Sequence, residues 1–327
     1  MPQKTIRFLR LIFRHLREKG FYQTLTAISN GLNYSLQPPP EVMPLERAKR
    51  DILFAVNEQE VRARIKQAER ETAHHYTAAE TEKTYPFVFV WEDKEIRYAY
   101  LPARQNSRGM IVYFHGHFAD RHPAPADPRE HFDLLAPWDT FGAHRMGSFF
   151  WGEKGDNFTD RIVSALIQRF LSQSPGRRWF CQGASMGGFA AIYHGIKSQC
   201  DGIYAGMPQI NLRAKVVEYR YSRNNPYGYL MGDTLDTVPD IFEIAEAQEK
   251  LPPLFFMTNQ YDSTNPFAAH GGRLLEIYNR KKAWYGVRVY PAISHQCDYS
   301  EREAEYFFSL IAEKTPPKQV PFDFQVT

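Results

Sequence analysis

The chain has 327 residues, 43% of them hydrophobic, 15% aromatic and 24% charged, which supports one large core plus an extension and excludes a wholly disordered chain. Twenty glycines and 22 prolines exclude collagen-like and low-complexity classes, and 40 basic against 37 acidic residues leave a net charge of +3, which gives no argument for a nucleic-acid partner. Cys181, Cys200 and Cys297 are odd in number and have no CxxC spacing, so the expectation is a reducing compartment with neither a disulfide framework nor a cysteine zinc site.

Residues 1–80 read as a helical N-terminal extension. Arg7, Arg10, Arg14 and Arg17 fall on one stripe and Leu9, Ile12, Phe13 and Leu16 on another, a basic amphipathic helix that Gly20 ends. The arginines interrupt the apolar stretch that a signal peptide requires, and no apolar run approaches the roughly 20 residues of a membrane span. The helix either packs on its own domain or seeks an anionic membrane surface or an acidic partner protein. The expected location is cytoplasmic, with peripheral contact at the inner face of the membrane in the second case. Pro38, Pro39 and Pro40 separate this helix from a charged, solvated helical segment at about 45–80, where Glu60, Arg62, Arg64, Lys66, Glu69 and Arg70 mix their signs.

A second domain is expected over residues 81–327. Pro86–Trp91 and Glu95–Leu101 predict a hairpin, and Met110–Phe114, Trp179–Gln182, Gly202–Ala205, Leu254–Thr258 and Val287–Tyr290 predict short buried strands. Helices are expected near Asp160–Ser172, Gly187–Lys197, Phe267–Lys281 and Glu301–Glu313. This alternation implies an α/β class with a mostly parallel sheet covered on both faces. Trp151, ahead of the first of these helices, is a candidate pocket residue, while Asp156, Asn157 and Thr159 beside it are equally ordinary helix caps.

Chemistry concentrates in Gly183-Ala184-Ser185-Met186-Gly187, between a strand and a helix, which is the Gly-X-Ser-X-Gly nucleophile elbow in its proper context. The positions two before and two after the serine approach each other in such a turn, so both need glycine. The helix that begins there offers its dipole and the Met186 amide to a developing negative charge. Serine alone is a poor nucleophile and needs a histidine base oriented by an acid. Asp262 and His295 each follow an expected strand at its C-terminal end, where open α/β sheets keep their sites. Asp298, Asp233, Asp236 and Asp240 remain alternatives for the acid.

The chain order Ser185, Asp262, His295 is that of the α/β-hydrolases, and the domain resembles that superfamily. The resemblance implies an α/β-hydrolase fold with Ser185 as nucleophile, His295 as general base and then acid, and Asp262 orienting the imidazole. Ile111-Val-Tyr-Phe-His-Gly-His-Phe118 resembles the His-Gly-Gly-Gly turn of esterases. That match puts His115 and Gly116 at the turn and the second oxyanion donor at the amide of His117 or Phe118, although both replace glycines. A metal site at His115-Gly-His117 is the competing reading; it lacks a third ligand at a helpful spacing, and the serine apparatus needs no metal.

Residues 207–248 form an insertion of the kind that covers the pocket in this superfamily. Its Arg213, Lys215, Tyr219, Arg220, Tyr221, Arg223, Tyr227 and Tyr229 either hold an anionic or sugar-containing substrate or pack on the domain. Tyr219, Arg220, Tyr227 and Trp151 are the candidate substrate contacts. The expected activity is serine-dependent acyl-ester hydrolysis without a cofactor. Gly183 to Ala191, together with the N-terminal helices, also looks like α/β-hydrolase-type proteins of bacterial surface-glycan acetylation and accessory secretion. That resemblance implies O-acetylation of a surface or capsular polysaccharide, with acetyl-CoA as acyl donor, or a non-catalytic scaffold of a glycan or secretion complex.

Overall fold

Phe87–Trp91 (β1) and Lys94–Leu101 (β2), of which only Phe89, Ile96 and Ala99 are buried, pair antiparallel from Phe87↔Tyr98 to Trp91↔Lys94 around a turn at Glu92 and Asp93. The computed structural model describes residues 83–117, 128–142, 145–218, 227–260, 262, 265–290, 295 and 300–313. The expected extension over 1–80, with its basic amphipathic helix, lies outside the described residues, as do Phe118, Tyr219, Arg220 and Asp298.

The hairpin opens an eight-stranded sheet in the order β1-β2-β4-β3-β5-β6-β7-β8. Its other strands are Met110–Phe114 (β3), Asp133–Trp138 (β4), Trp179–Ala184 (β5), Gly202–Gly206 (β6), Leu254–Asn259 (β7) and Tyr285–Tyr290 (β8). From β4 to β8 every neighbouring pair is parallel, while β2 meets β4 antiparallel. The connecting helices are Phe158–Ser172 (α1), Met186–Lys197 (α2), Leu212–Glu218 (α3), Ile241–Ala247 (α4), Gly271–Arg280 (α5) and Glu301–Ala312 (α6). No helix among the described residues is long and apolar enough to cross a membrane.

Two differences from the sequence expectation have local causes. The sequence pattern does not predict β4, because Asp133 and Pro137 interrupt Asp133-Leu-Leu-Ala-Pro-Trp138; Pro137 lies two residues past the last β3 pairing, Val112↔Leu135, where a missing N–H is tolerated. The helix expected from Phe267 starts instead with a 3₁₀ turn at Phe267–Ala269, and α5 begins only at Gly271, after Pro266 has set the chain extended.

The strand period of two sorts the core onto both faces of the sheet. Val112, Phe114, Cys181, Ile203 and Phe256 pack with α1, α2, α4 and α5, while Ile111, Leu134, Phe180, Tyr204 and Met257 pack with Phe132 and with Ala304, Phe307 and Phe308 of α6. Cys181 and Cys200 are buried free thiols. Between β6 and β7 the insertion adds Tyr227, Leu230, Val238, Ile241 and Phe242 to the first of these clusters. Asp240 caps α4 by accepting the amides of Phe242 and Glu243.

Candidate active site

β5 ends at Ala184 and α2 begins at Met186, so Ser185 makes the whole reversal, at φ 56 and ψ −117, a region that non-glycine residues rarely enter. The turn is tight: a Cβ on Gly183 would stand 2.2 Å from the Gly187 carbonyl oxygen, and one on Gly187 2.0 Å from that of Phe114. Backbone bonds hold the reversal, with the Ser185 amide donating to Gly206 O at 2.8 Å and the Phe189 amide to Ser185 O at 3.1 Å. Met186 is fully buried, and its amide is one of the four N-terminal N–H groups of α2 that no carbonyl of the same helix can accept.

Past the ends of β7 and β8 lie Asp262 and His295. Ser185 Oγ is 2.9 Å from His295 Nε2, and His295 Nδ1 is 2.8 Å from Asp262 Oδ2. A carboxylate oxygen can only accept, so Nδ1 carries the proton and Nε2 is left as the acceptor for the serine hydroxyl. Asp262 is buried, and its second oxygen accepts the Asn265 amide at 3.1 Å. The Asn265 side-chain nitrogen lies 3.3 Å from His295 Nδ1; nothing in the sequence singled out this residue. The alternative carboxylate Asp240 is occupied with the α4 amides and with Arg213, 3.4 Å away.

His115 and His117 take different places in the turn after β3. His115 is buried, its Nε2 accepting the Asp139 amide at 2.9 Å and its Nδ1 lying 2.7 Å from Gly116 O. His117 turns its Nδ1 to Met146 O at 3.3 Å and sets its ring edge-on to Phe149 and Tyr227, with centroids 4.8 and 6.3 Å away. Among the described residues no group of three His, Cys, Asp or Glu side chains is placed to hold a metal ion.

The described part of the basic and aromatic insertion packs inward. The Tyr227 hydroxyl accepts from Gln209 Nε2 at 2.9 Å, the Tyr229 hydroxyl donates to Gly147 O at 2.6 Å, and Arg213 pairs with Glu243 at 2.6 Å. Trp151 lies edge-on to Tyr193, 5.6 Å between centroids and two turns along α2 from Ser185. Its surroundings are those of a packing residue.

Burial withholds protons from several histidines. His194, buried in α2, is lowered to about 4; so are His117 and His270, with burial the principal cause in each case and the nearby Lys215 ammonium adding to it for His270. A folded pKa below the unfolded 6.5 contributes stability that is complete above pH 6.5 and is lost as pH falls toward 4. By linkage, each such imidazole gives up about 2 kcal/mol at pH 5. Asp139 works the other way: burial raises it to about 6, so its protonation has returned about 1 kcal/mol by pH 5. The domain should therefore melt at lower temperature at pH 5 than at pH 7.5. An equal or higher melting temperature at pH 5 would contradict this assignment of buried neutral imidazoles.

A mostly parallel sheet whose central strand delivers a serine to the N-terminus of a helix is the architecture of the α/β-hydrolases, and this chain has that fold. It superposes on the acylaminoacyl peptidase of Pyrococcus horikoshii with TM-score 0.53 and 15% identity, over 71% of this chain and 42% of that one. It superposes on the capsule O-acetyltransferase of Neisseria meningitidis serogroup A with TM-score 0.52 and 17% identity, over 68% of this chain and 93% of that one. The chain thus spans less than half of the peptidase. No protein-family model and no curated protein matches the sequence.

Proposed function

We propose that the protein is a serine-dependent acyl-ester hydrolase working through Ser185, His295 and Asp262. The observation that carries the reading is the hydrogen-bonded succession of these three side chains, 2.9 and 2.8 Å, at a sharply turned nucleophile elbow. His295 Nε2 takes the hydroxyl proton as Ser185 Oγ bonds to the acyl carbonyl carbon, and the carbonyl oxygen becomes an oxyanion facing the Met186 amide and the amide of His117 or Phe118. The imidazolium, stabilised by Asp262, then protonates the leaving alkoxide as its bond to the acyl carbon breaks. Water, deprotonated by His295, repeats the steps on the acyl-enzyme and releases the acid.

A sugar hydroxyl in place of that water would make the protein an O-acetyltransferase acting on a polysaccharide, with acetyl-CoA as donor. The likeness to the capsule O-acetyltransferase over 93% of its length favours keeping this as the second reading. Incubation with p-nitrophenyl acetate or acetyl-CoA, with and without polysaccharide acceptors, separates the two. Hydrolysis predicts free acetate at a rate unaffected by acceptor; acetyl groups accumulating on the polysaccharide would replace the first reading with the second.

A further inference from the structure

The turn at Met146 and Gly147 touches His117 and the residue after the nucleophile. Met146 O lies 3.3 Å from His117 Nδ1, and a Cβ on Gly147 would stand 2.5 Å from Cε and 2.7 Å from Sδ of Met186, so this backbone lies directly against the residue after Ser185. Gly147 adopts φ +101, which glycine tolerates and other residues rarely do. The Tyr229 hydroxyl donates to Gly147 O at 2.6 Å, and the Gly147 amide donates to Phe141 O at 2.8 Å.

One side chain gathers several of this segment's hydrogen bonds. Asp139, fully buried just past the end of β4, accepts the amides of Ser148 at 2.7 Å, Phe150 at 2.8 Å and Phe141 at 3.1 Å, and the Ser148 hydroxyl at 3.0 Å. Its own amide donates to His115 Nε2, in the turn that leads to His117. A buried carboxylate with so many donors fixes the backbone around it, because each lost bond would strand a polar group away from water.

We propose that Asp139 is a positioning residue for the oxyanion site: its carboxylate gathers the backbone of Phe141, Ser148 and Phe150 into the support on which His117 and Met186 rest. The inference depends on Ser185 being the nucleophile, and the two can fail separately. Asp139 has a raised pKa of about 6, so at pH 8 the carboxylate is ionised and all its acceptor positions are available.

Asp139→Asn puts an amide NH2 where backbone amides now donate. At pH 8 it should lower kcat for p-nitrophenyl acetate at least 10-fold with KM changed less than 2-fold. It should also weaken an aryl trifluoromethyl ketone, whose carbonyl oxygen becomes an oxyanion when Ser185 Oγ adds to the carbonyl carbon as a hemiketal, by the same factor as kcat. Tyr229→Phe removes one donor from Gly147 O while keeping the ring that packs against the core and should lower both quantities about 3-fold, which keeps a test in hand even if Asp139→Asn does not fold. A folded Asp139→Asn with unchanged kcat, a fall in kcat without loss of ketone affinity, or an unchanged Tyr229→Phe would overturn the positioning role. Absence of a fluorophosphonate adduct on Ser185 of the unmodified protein would instead overturn the nucleophile assignment beneath it.

Discussion

Ser185→Ala is expected to lower turnover of an activated acetyl ester by at least about 10³-fold while leaving the fold in place, because it deletes the one atom that bonds to the acyl carbon. The contacts that hold the turn are made by the backbone of residue 185, to Gly206 O and from the Phe189 amide, and an alanine keeps both. It also meets the same positive φ that serine meets, so the melting temperature should hardly move. His295→Ala should be nearly as damaging, since a serine hydroxyl without a base is a poor nucleophile at neutral pH. Groups that act as one unit are not additive: the double variant should be no slower than the worse single one. Steady-state kinetics on the purified variants provide the check. A Ser185→Ala protein with turnover near the parent's would place the chemistry elsewhere.

Gly187→Ala should have the largest effect on stability. Its new Cβ would lie 2.0 Å from Phe114 O and 2.6 Å from His115 O, both backbone atoms of the adjoining strand and turn, which cannot move aside as a flexible side chain can. Relief requires β5, α2 or the end of β3 to shift, so the expected loss is about 3 kcal/mol or more, up to failure to fold. Gly116→Ala is the control: its Cβ would meet Ala184 O at an ordinary 3.6 Å, so urea unfolding should show a change within about 1 kcal/mol. A Gly187→Ala protein as stable as Gly116→Ala would mean that the turn at Ser185 is looser than the geometry described.

Much of the sheet was legible because its central strands are covered on both faces and so read as continuous apolar runs, as in Met110–Phe114 and Leu254–Asn259. β4 escaped that signal through Asp133, whose burial is offset by Arg177, Tyr100 and the Ala103 amide, partners no local pattern reveals. The spacing of the glycines around Ser185 and the strand-end positions of Asp262 and His295 carried the site, since those placements follow from topology. Asp139 and Asn265 carried no such signal: each is a single polar residue in a loop, the first defined by the amides that folding brings to its carboxylate and the second by the His295 ring that folding brings to its side chain. The insertion shows the opposite failure. Composition alone does not say whether a tyrosine faces substrate or core, and Tyr227 and Tyr229 face inward, toward Gln209 and Gly147.

A histidine-activated serine is defined by the reactivity of one hydroxyl. Treatment of the folded protein with a fluorophosphonate, followed by peptide mass spectrometry, should find one adduct on Ser185 that is lost in His295→Ala and kept in Asp240→Asn. An unlabelled Ser185 in folded protein, or labelling that survives His295→Ala undiminished, would contradict a histidine-activated serine at this site.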